Sequence, residues 1–360
     1  MSLRLRLIRP PPPAELGALW QSVAARGVAS FFQGWDWTGT LFAERFPDPW
    51  LLLAEDGGAV RALALFNRTR RAGRQTRLWL GESGDPVWDR LFIEYNGILG
   101  DPALREPMLR AARHAGMAGA SALLPLPLAL PRAIMLSGID DAMLDACRAA
   151  GTPRLIQSRA APAIDLARLR AGSARGDHLG ALSANTRAQL RRSAARYGRA
   201  GALRIDAAAT LAEAEGFFAH LVALHEESWR RRNRAGAFAD PAIPRFHRAL
   251  IATALPQGRV ELLRIAAGPR VLGYLYHFRQ DGRVLAYQSG FDYAGAGPHE
   301  KPGLTCHALS IERALAMGER VYDMLAGAER YKQSLVPTMA DATTTLHWVE
   351  MGTWRSWLGR

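Results

Sequence analysis

Residues 260–291 read VELLRIAAGPRVLGYLYHFRQDGRVLAYQSGF, and this stretch decides the fold. Three runs rich in Val, Leu, Ile and Tyr, from Val260 to Ala267, Val271 to Phe278 and Val284 to Phe291, are separated by Gly268-Pro269 and Asp281-Gly282. β-Branched and aromatic side chains suit a pleated, half-buried surface, and an Asp-Gly link accepts the positive φ angles of a tight hairpin. The stretch therefore predicts a three-stranded antiparallel meander. A segment rich in Gly and Pro follows, then helical spacing over Leu304 to Met317 closed by Gly318, a strand over Glu319 to Leu325, and a last strand over Thr343 to Val349. A meander, a helix and another strand make an α+β plan with a mixed sheet.

The first half of the chain repeats this order. Trp50 to Glu55 and Ala59 to Asn67 read as strands around the turn Asp56-Gly57-Gly58, with Arg77 to Leu80 as a third. Leu104 to Ala115 has helical spacing, Ser121 to Leu124 reads as a short strand, and Asp140 to Ala150 as a helix closed by Gly151. A chain of 360 residues also exceeds most single cores. The reading is an internal duplication: an N-terminal domain over 1–155 and a C-terminal domain over 156–360. Between the repeats, Ser183 caps a helix bearing Arg187, Arg191, Arg192, Arg196 and Arg199, and Thr210 with Glu213 forms a capping box. The start of the chain alternates apolar and basic residues from Leu3 to Arg9 and lacks the continuous apolar run of a signal peptide, so it reads as a first strand.

No stretch approaches the roughly 20 apolar residues that cross a bilayer, and cytoplasmic residence is expected. Cys147 and Cys306 stand alone, without CxxC or zinc spacing, and are expected as reduced thiols. The net charge of +13 points to anionic partners: phosphates, nucleotides, tRNA or an acidic membrane surface met peripherally. Of 46 basic residues only Lys301 and Lys332 are lysines. A compact ammonium that can lose its proton differs from a guanidinium fork, which marks both positions.

Several ordered motifs carry a family resemblance. Leu182 to Arg187, Leu224-His225-Glu226-Glu227-Ser228-Trp229, Tyr287 to Asp292, Pro302-Gly303-Leu304 and Gly327 to Lys332 resemble the acetyltransferase domain of the CelD-like (BioF2-like) GNAT enzymes of cellulose biosynthesis. That family is related to the Fem-type transferases, which also carry paired GNAT-like halves. The resemblance implies two tandem GNAT-like domains and transfer of an acyl group to an amine or hydroxyl. The donor it implies is acetyl-CoA or another acyl-CoA, or aminoacyl-tRNA in the Fem manner; a glycan or lipid precursor is the implied acceptor. One departure is the loop Ala294 to Lys301, which lacks the serine usual before Pro-Gly.

Within this frame, a Gly-rich approach to a helix N-terminus suits a pyrophosphate. Gln288, Ser289, Gly290, Lys301, Gly303, Leu304 and Thr305 are the expected donor contacts. Acyl transfer also needs a base for the acceptor and an acid for the leaving thiolate. Tyr331 is the candidate acid; Asp292, Glu329 or Asp323 the base; Lys332 a binder of an anionic acceptor or phosphate. His225 and Trp229, four apart on one helix face, are candidates to line the acceptor cleft. A bland reading stands beside each: an ordinary loop, a turn-capping Asp292, a packed Tyr331, a core His225, a solvated arginine face. The N-terminal half, with no lysine and no Gly-Pro loop before its helix, is not expected to bind a donor. The histidines show no metal-binding spacing, so no metal is expected, and Walker, Rossmann and G-x-S-x-G patterns do not occur. A non-catalytic anion-binding scaffold remains the third reading.

Overall fold

A computed structural model describes residues 3–27, 29–69, 76–114, 133–172, 177–327 and 329–352. The strand read at Ser121 to Leu124 lies outside them. The chain divides into two compact units, one made of residues 1–159 with 345–360, the other of residues 160–344.

The first unit is a mixed sheet of eight strands with helices on its faces. Its elements are β1 (Arg4–Ile8), α1 (Pro13–Ala24), α2 (Trp35–Arg45), β2 (Pro49–Asp56), β3 (Ala59–Thr69), β4 (Arg77–Leu80), β5 (Leu99–Gly100), α3 (Arg105–His114), β6 (Ala133–Ile139), α4 (Asp141–Ala150) and β7 (Pro153–Ala161). The strand order is β1-β2-β3-β4-β6, then a strand from the chain's far end, then β7, with β5 beside β3. Alternate residues of β2 and β3, including Leu52, Ala54, Ala64 and Phe66, meet Met108, Leu109, Met143 and Cys147 of α3 and α4 in one core. Asp140 caps α4 by accepting the Met143 N–H at 2.8 Å.

The second unit holds β8 (Ala163–Asp165), α5 (Leu166–Gly172), α6 (His178–Ala181), α7 (Ala184–Tyr197), β9 (Leu203–Ala207), α8 (Leu211–Arg230), α9 (Ala242–Ala254), β10 (Val260–Ala267), β11 (Arg270–Gln280), β12 (Arg283–Phe291), α10 (Pro302–Ala316), β13 (Val321–Asp323) and α11 (Arg330–Leu335). Its sheet runs β8-β13-β12-β11-β10-β9. The meander β10-β11-β12 is antiparallel, as read from the sequence, and β13 joins β12 in parallel. Phe218 of α8, Phe246 of α9 and Tyr276 of β11 are fully buried. Cys306 of α10 packs with Tyr197, Leu263, Leu275 and Phe291 in another core cluster. The Thr210–Glu213 capping box forms, as does the Ser183 cap.

The final strand, β14 (Thr344–Gly352), departs from the sequence reading, which placed it with the C-terminal repeat. It lies in the first unit's sheet, between β6 and β7. His347 pairs with Ile139 and Val349 with Leu136, so Val349 and Met351 enter that unit's core. His347 also bonds Asp141 Oδ1 and Ser158 Oγ, each at 2.8 Å. Every residue of β6 is buried, so its backbone needs a strand on each side. A local run of β-branched residues carries no information about which sheet will take it.

Candidate functional site

In the second unit β12 and β13 part early. Arg283, Val284 and Leu285 pair with Val321, Tyr322 and Asp323, and pairing ends there. The register against β11 shifts at Tyr276/His277: Tyr276 faces Gln288 while His277 faces Ala286, leaving Tyr287 as an extra residue. Such a bulge bends its strand, and it falls just beyond Leu285, where β13 ends and its pairing with β12 stops. Among the described residues no strand pairs with Ala286 to Phe291 on that side.

The expected residues of this edge have different surroundings. Gln288 and Ser289 are half-buried. The Ser289 carbonyl accepts a hydrogen bond from His225 Nδ1 at 3.1 Å. Gly290 faces α8 instead: a Cβ there would stand 2.3 Å from the Leu221 carbonyl oxygen, so only glycine lets helix and strand approach this closely.

Beyond β12 the chain turns into α10 through residues 292–301. Asp292 Oδ1 accepts the Gly295 N–H, and Glu300 Oε2 the Gly297 N–H, both at 2.7 Å. Arg270 clasps Glu300 through two guanidinium nitrogens at 3.0 and 2.8 Å and reaches the Gly295 carbonyl. The Lys301 N–H donates to Ser193 Oγ at 2.9 Å, and Ser193 is 2.8 Å from Thr305 Oγ1. Thr305 therefore ties α10 to α7 and is buried. Lys301 is the N-cap of α10 with an exposed side chain, and no side chain caps the helix. Pro302 has no N–H, so Gly303 and Leu304 bring the first helical N–H groups, which lack acceptors within the helix. Gly303 packs under Tyr293 and Phe291: a Cβ would lie 2.7 Å from the Tyr293 hydroxyl.

On the other side of the parting, Lys332 is only 8% exposed. Its Nζ donates to the carbonyls of Leu325 at 3.2 Å and Ala326 at 3.1 Å and lies 3.6 Å from Glu329 Oε2. Asp323 is wholly buried, accepting the Leu325 N–H at 2.7 Å and Arg283 at 2.5 Å. These bonds hold Leu325 in the left-handed region at φ 59°. Tyr331 is half-buried, with its ring stacked on His307 at 5.3 Å and 24°. Burial, then the charge of Glu329, pushes its phenol well above the ordinary tyrosine value, so it stays protonated. Glu329 is exposed.

His225 is a brace. Its Nδ1–H donates to Ser289 and its Nε2 accepts the Ala237 N–H at 3.3 Å, which uses both ring nitrogens. Burial lowers its pKa and keeps it neutral. Trp229 stands 6.0 Å from this ring, with Arg232 over its own face. On α7, Arg187 donates to the carbonyls of Gly180 and Leu182, while Arg191, Arg192, Arg196 and Arg199 are exposed. Sequence reading missed the buried polar chain of Glu261, His277, Tyr322 and His307, because these residues lie on four elements and share no spacing.

Glu261 offers a stability test. Burial alone would raise its carboxyl, but the His277 ring at 3.7 Å and Arg313 at 2.7 Å outweigh this and hold it at about 2, against an ordinary 4.5. A carboxyl depressed by folding stabilises above its unfolded pKa and loses that contribution as pH falls through the folded one. About 3 kcal/mol is therefore expected to disappear between pH 4.5 and 2. Urea unfolding at stepped pH should show this slope, and Glu261→Gln should flatten it; an unaltered slope in the variant would contradict the assignment.

In the first unit the corresponding parting is filled. β4 and β6 pair in parallel at Arg77–Trp79 and Ala133–Met135. Beyond this, Asn96 inserts, its N–H donating to Gly138 at 3.1 Å and its Nδ2 to Leu80 at 2.8 Å. Gly138 has φ 64°, and a Cβ there would meet the Ile93 carbonyl oxygen at 2.3 Å.

Among the described residues no helix is long and apolar enough to cross a membrane, and no group of His, Cys, Asp and Glu could hold a metal. Both cysteines are buried free thiols.

Comparison with known proteins adds the family context. Residues 184–333 match the family described as an acetyltransferase (GNAT) domain. No curated protein matches the sequence. Among solved structures, FemX is similar over 95% of this chain and 96% of its own, with a TM-score of 0.59 at 10% identity. L-PGS from Bacillus licheniformis is similar over 97% and 93%, with a TM-score of 0.55 at 10% identity. A tandem GNAT protein from the clavulanic acid biosynthesis pathway is similar over 98% and 99%, with a TM-score of 0.51 at 12% identity. These likenesses show the fold: α+β, with tandem GNAT-like halves.

Proposed function

We propose that this acyltransferase, which carries a GNAT acetyltransferase domain over residues 184–333, moves an acyl group directly from acyl-CoA to an amine or hydroxyl. The reading rests on one juxtaposition: the stretch of β12 beyond Leu285, with which no strand pairs on the β13 side among the described residues, leads through residues 292–301 to the N-terminus of α10, which no side chain caps. The edge suits the amide groups of a pantetheine arm. The N–H groups of Gly303 and Leu304, with Lys301 beside them, suit a pyrophosphate. The first unit's parting is filled by its own chain around Asn96, which supports a single donor site per chain.

In this reading the acceptor attacks the thioester carbonyl. The new C–N or C–O bond forms, the C–S bond breaks, and Tyr331 protonates the leaving thiolate. Glu329, exposed two residues away, takes the acceptor's proton, which then restores the Tyr331 phenol through solvent. Asp292 shapes the donor turn through Gly295, and Lys332 holds the loop that presents Glu329 and Tyr331. His225 fixes Ser289 at the strand edge, with Trp229 beside it. The motifs shared with CelD-like enzymes support a glycan or lipid precursor as acceptor, with cytoplasmic action, peripheral to a membrane where the precursor is a lipid.

Calorimetric titration with acetyl-CoA tests the donor. Micromolar binding is expected, and absence of binding at millimolar donor sinks the reading. Lys301→Ala is expected to weaken binding about tenfold, or about 1.4 kcal/mol; an unchanged Kd removes Lys301 from the donor site. A second reading, an aminoacyl-tRNA donor, is favoured by the exposed arginines of α7, whose Ser193 bonds the Lys301 backbone at the start of α10. A chain of phosphates on these arginines would bind with a steep salt dependence. Acetyl-CoA binding with a shallow salt slope decides for the thioester.

A further inference from the structure

We propose that His307 is the positioning residue for Tyr331, anchored through a buried polar chain that crosses the second unit; this rests on the acyl-transfer reading in which Tyr331 is the acid. His307 lies on α10 and is 4% exposed. One face of its ring stacks on Tyr331, and Phe291, the last residue of β12, meets it edge-on at 5.6 Å. Its Nδ1 is 3.3 Å from the Tyr322 hydroxyl. That hydroxyl is also 3.3 Å from His277 Nε2 and from Ser310 Oγ. His277 Nδ1 is 3.7 Å from Glu261, whose other oxygen accepts from Arg313. The chain thus runs from Arg313 on α10 through β10, β11 and β13 back to α10, and ends on the ring stacked against α11.

Three features make this a positioning device. The Tyr322 hydroxyl has one proton and three polar neighbours, so it fixes the orientation of the His307 ring. Burial, with the charges of His277 and Lys332, holds His307 down to about 3, so the imidazole is neutral and places no cation against the Tyr331 phenol. The ring that faces Tyr331 is therefore rigid and uncharged. Tyr331 stands at the start of a six-residue helix on a loop, and a flat, anchored partner restricts its ring. A hydroxyl serving as an acid must be held within a fraction of an ångström of its productive place.

Tyr322→Phe keeps the ring volume and removes only the anchor. In the ligand-free protein the Tyr331 ring resonance, assigned by its loss in Tyr331→Phe, is expected to shift and broaden in Tyr322→Phe. In transfer assays kcat should fall about tenfold with KM for acyl-CoA unchanged, and Tyr322→Phe should add no further loss in the Tyr331→Phe background, since the two act as one unit. An unmoved Tyr331 signal, or losses that simply add, overturns the positioning role. Absence of acyl-CoA binding by the wild-type protein sinks the transfer reading instead, and the ring measurement, made without donor, still decides whether the chain positions Tyr331.

Discussion

Replacing Tyr331 with Phe is expected to lower kcat about 100-fold while the Kd for acyl-CoA changes less than twofold. General acid catalysis contributes factors on the order of 10² to 10⁴. The variant retains the ring that stacks on His307 and loses only the hydroxyl. Stability should therefore hold, and the deficit should sit in the chemical step. Burial and Glu329 push this phenol above its ordinary value, so the acid form persists through pH 9 and an alkaline fall in activity belongs above pH 10. Stopped assays of thiol release across that range, with donor binding measured in parallel, give both numbers. A wild-type rate in Tyr331→Phe would remove Tyr331 from the chemistry and return the residue to packing.

The second large effect is expected at Lys332. Lys332→Met keeps most of the side-chain volume but takes away the donors that serve the Leu325 and Ala326 carbonyls. A buried carbonyl left without a partner costs about 1–3 kcal/mol. The Leu325 carbonyl is the buried one, and it predicts a loss on the order of 2 kcal/mol, read as a lower urea midpoint at unchanged slope. The released loop carries Glu329 and Tyr331, so transfer should fall as well. Lys332→Arg is not expected to rescue either property, because a planar fork cannot occupy the place of a compact ammonium between two neighbouring carbonyls. A loss below about 1 kcal/mol in Lys332→Met would show that the carbonyls find other partners. The geometry also accounts for a lysine in a chain that otherwise uses arginine.

Much of this was legible residue by residue. The meander over 260–291, its Asp281-Gly282 hairpin, the helix entered at Pro302 and the two caps at Ser183 and Thr210 are all local events. Local steric and hydrogen-bonding preferences suffice to specify them, and so does the alternation that buries one face of each strand. The candidate donor turn was legible for the same reason, since Gly303 and Leu304 need only follow Pro302 to offer uncapped N–H groups.

Other features came into being only when distant segments met. His225 looked like a cleft residue until Ser289 and Ala237 took both its nitrogens. Lys332 looked like an anion binder until Leu325 and Ala326 turned their carbonyls to it. The sequence by itself determined the meander over 260–291, the helix that follows Pro302 and the two capped helix starts, because those follow from the φ, ψ and side-chain preferences of neighbours; it left α1, α2, α9, β6 and β7 unread. Only the tertiary structure decided that β14 crosses into the first unit's sheet, that Asn96 fills the parting there while no described strand pairs with β12 beyond Leu285 on the β13 side, and that His307 reaches Tyr331. Each of those is a choice among partners far apart in the chain, made by which buried backbone or ring remains unsatisfied, and no window of sequence contains both sides of such a choice.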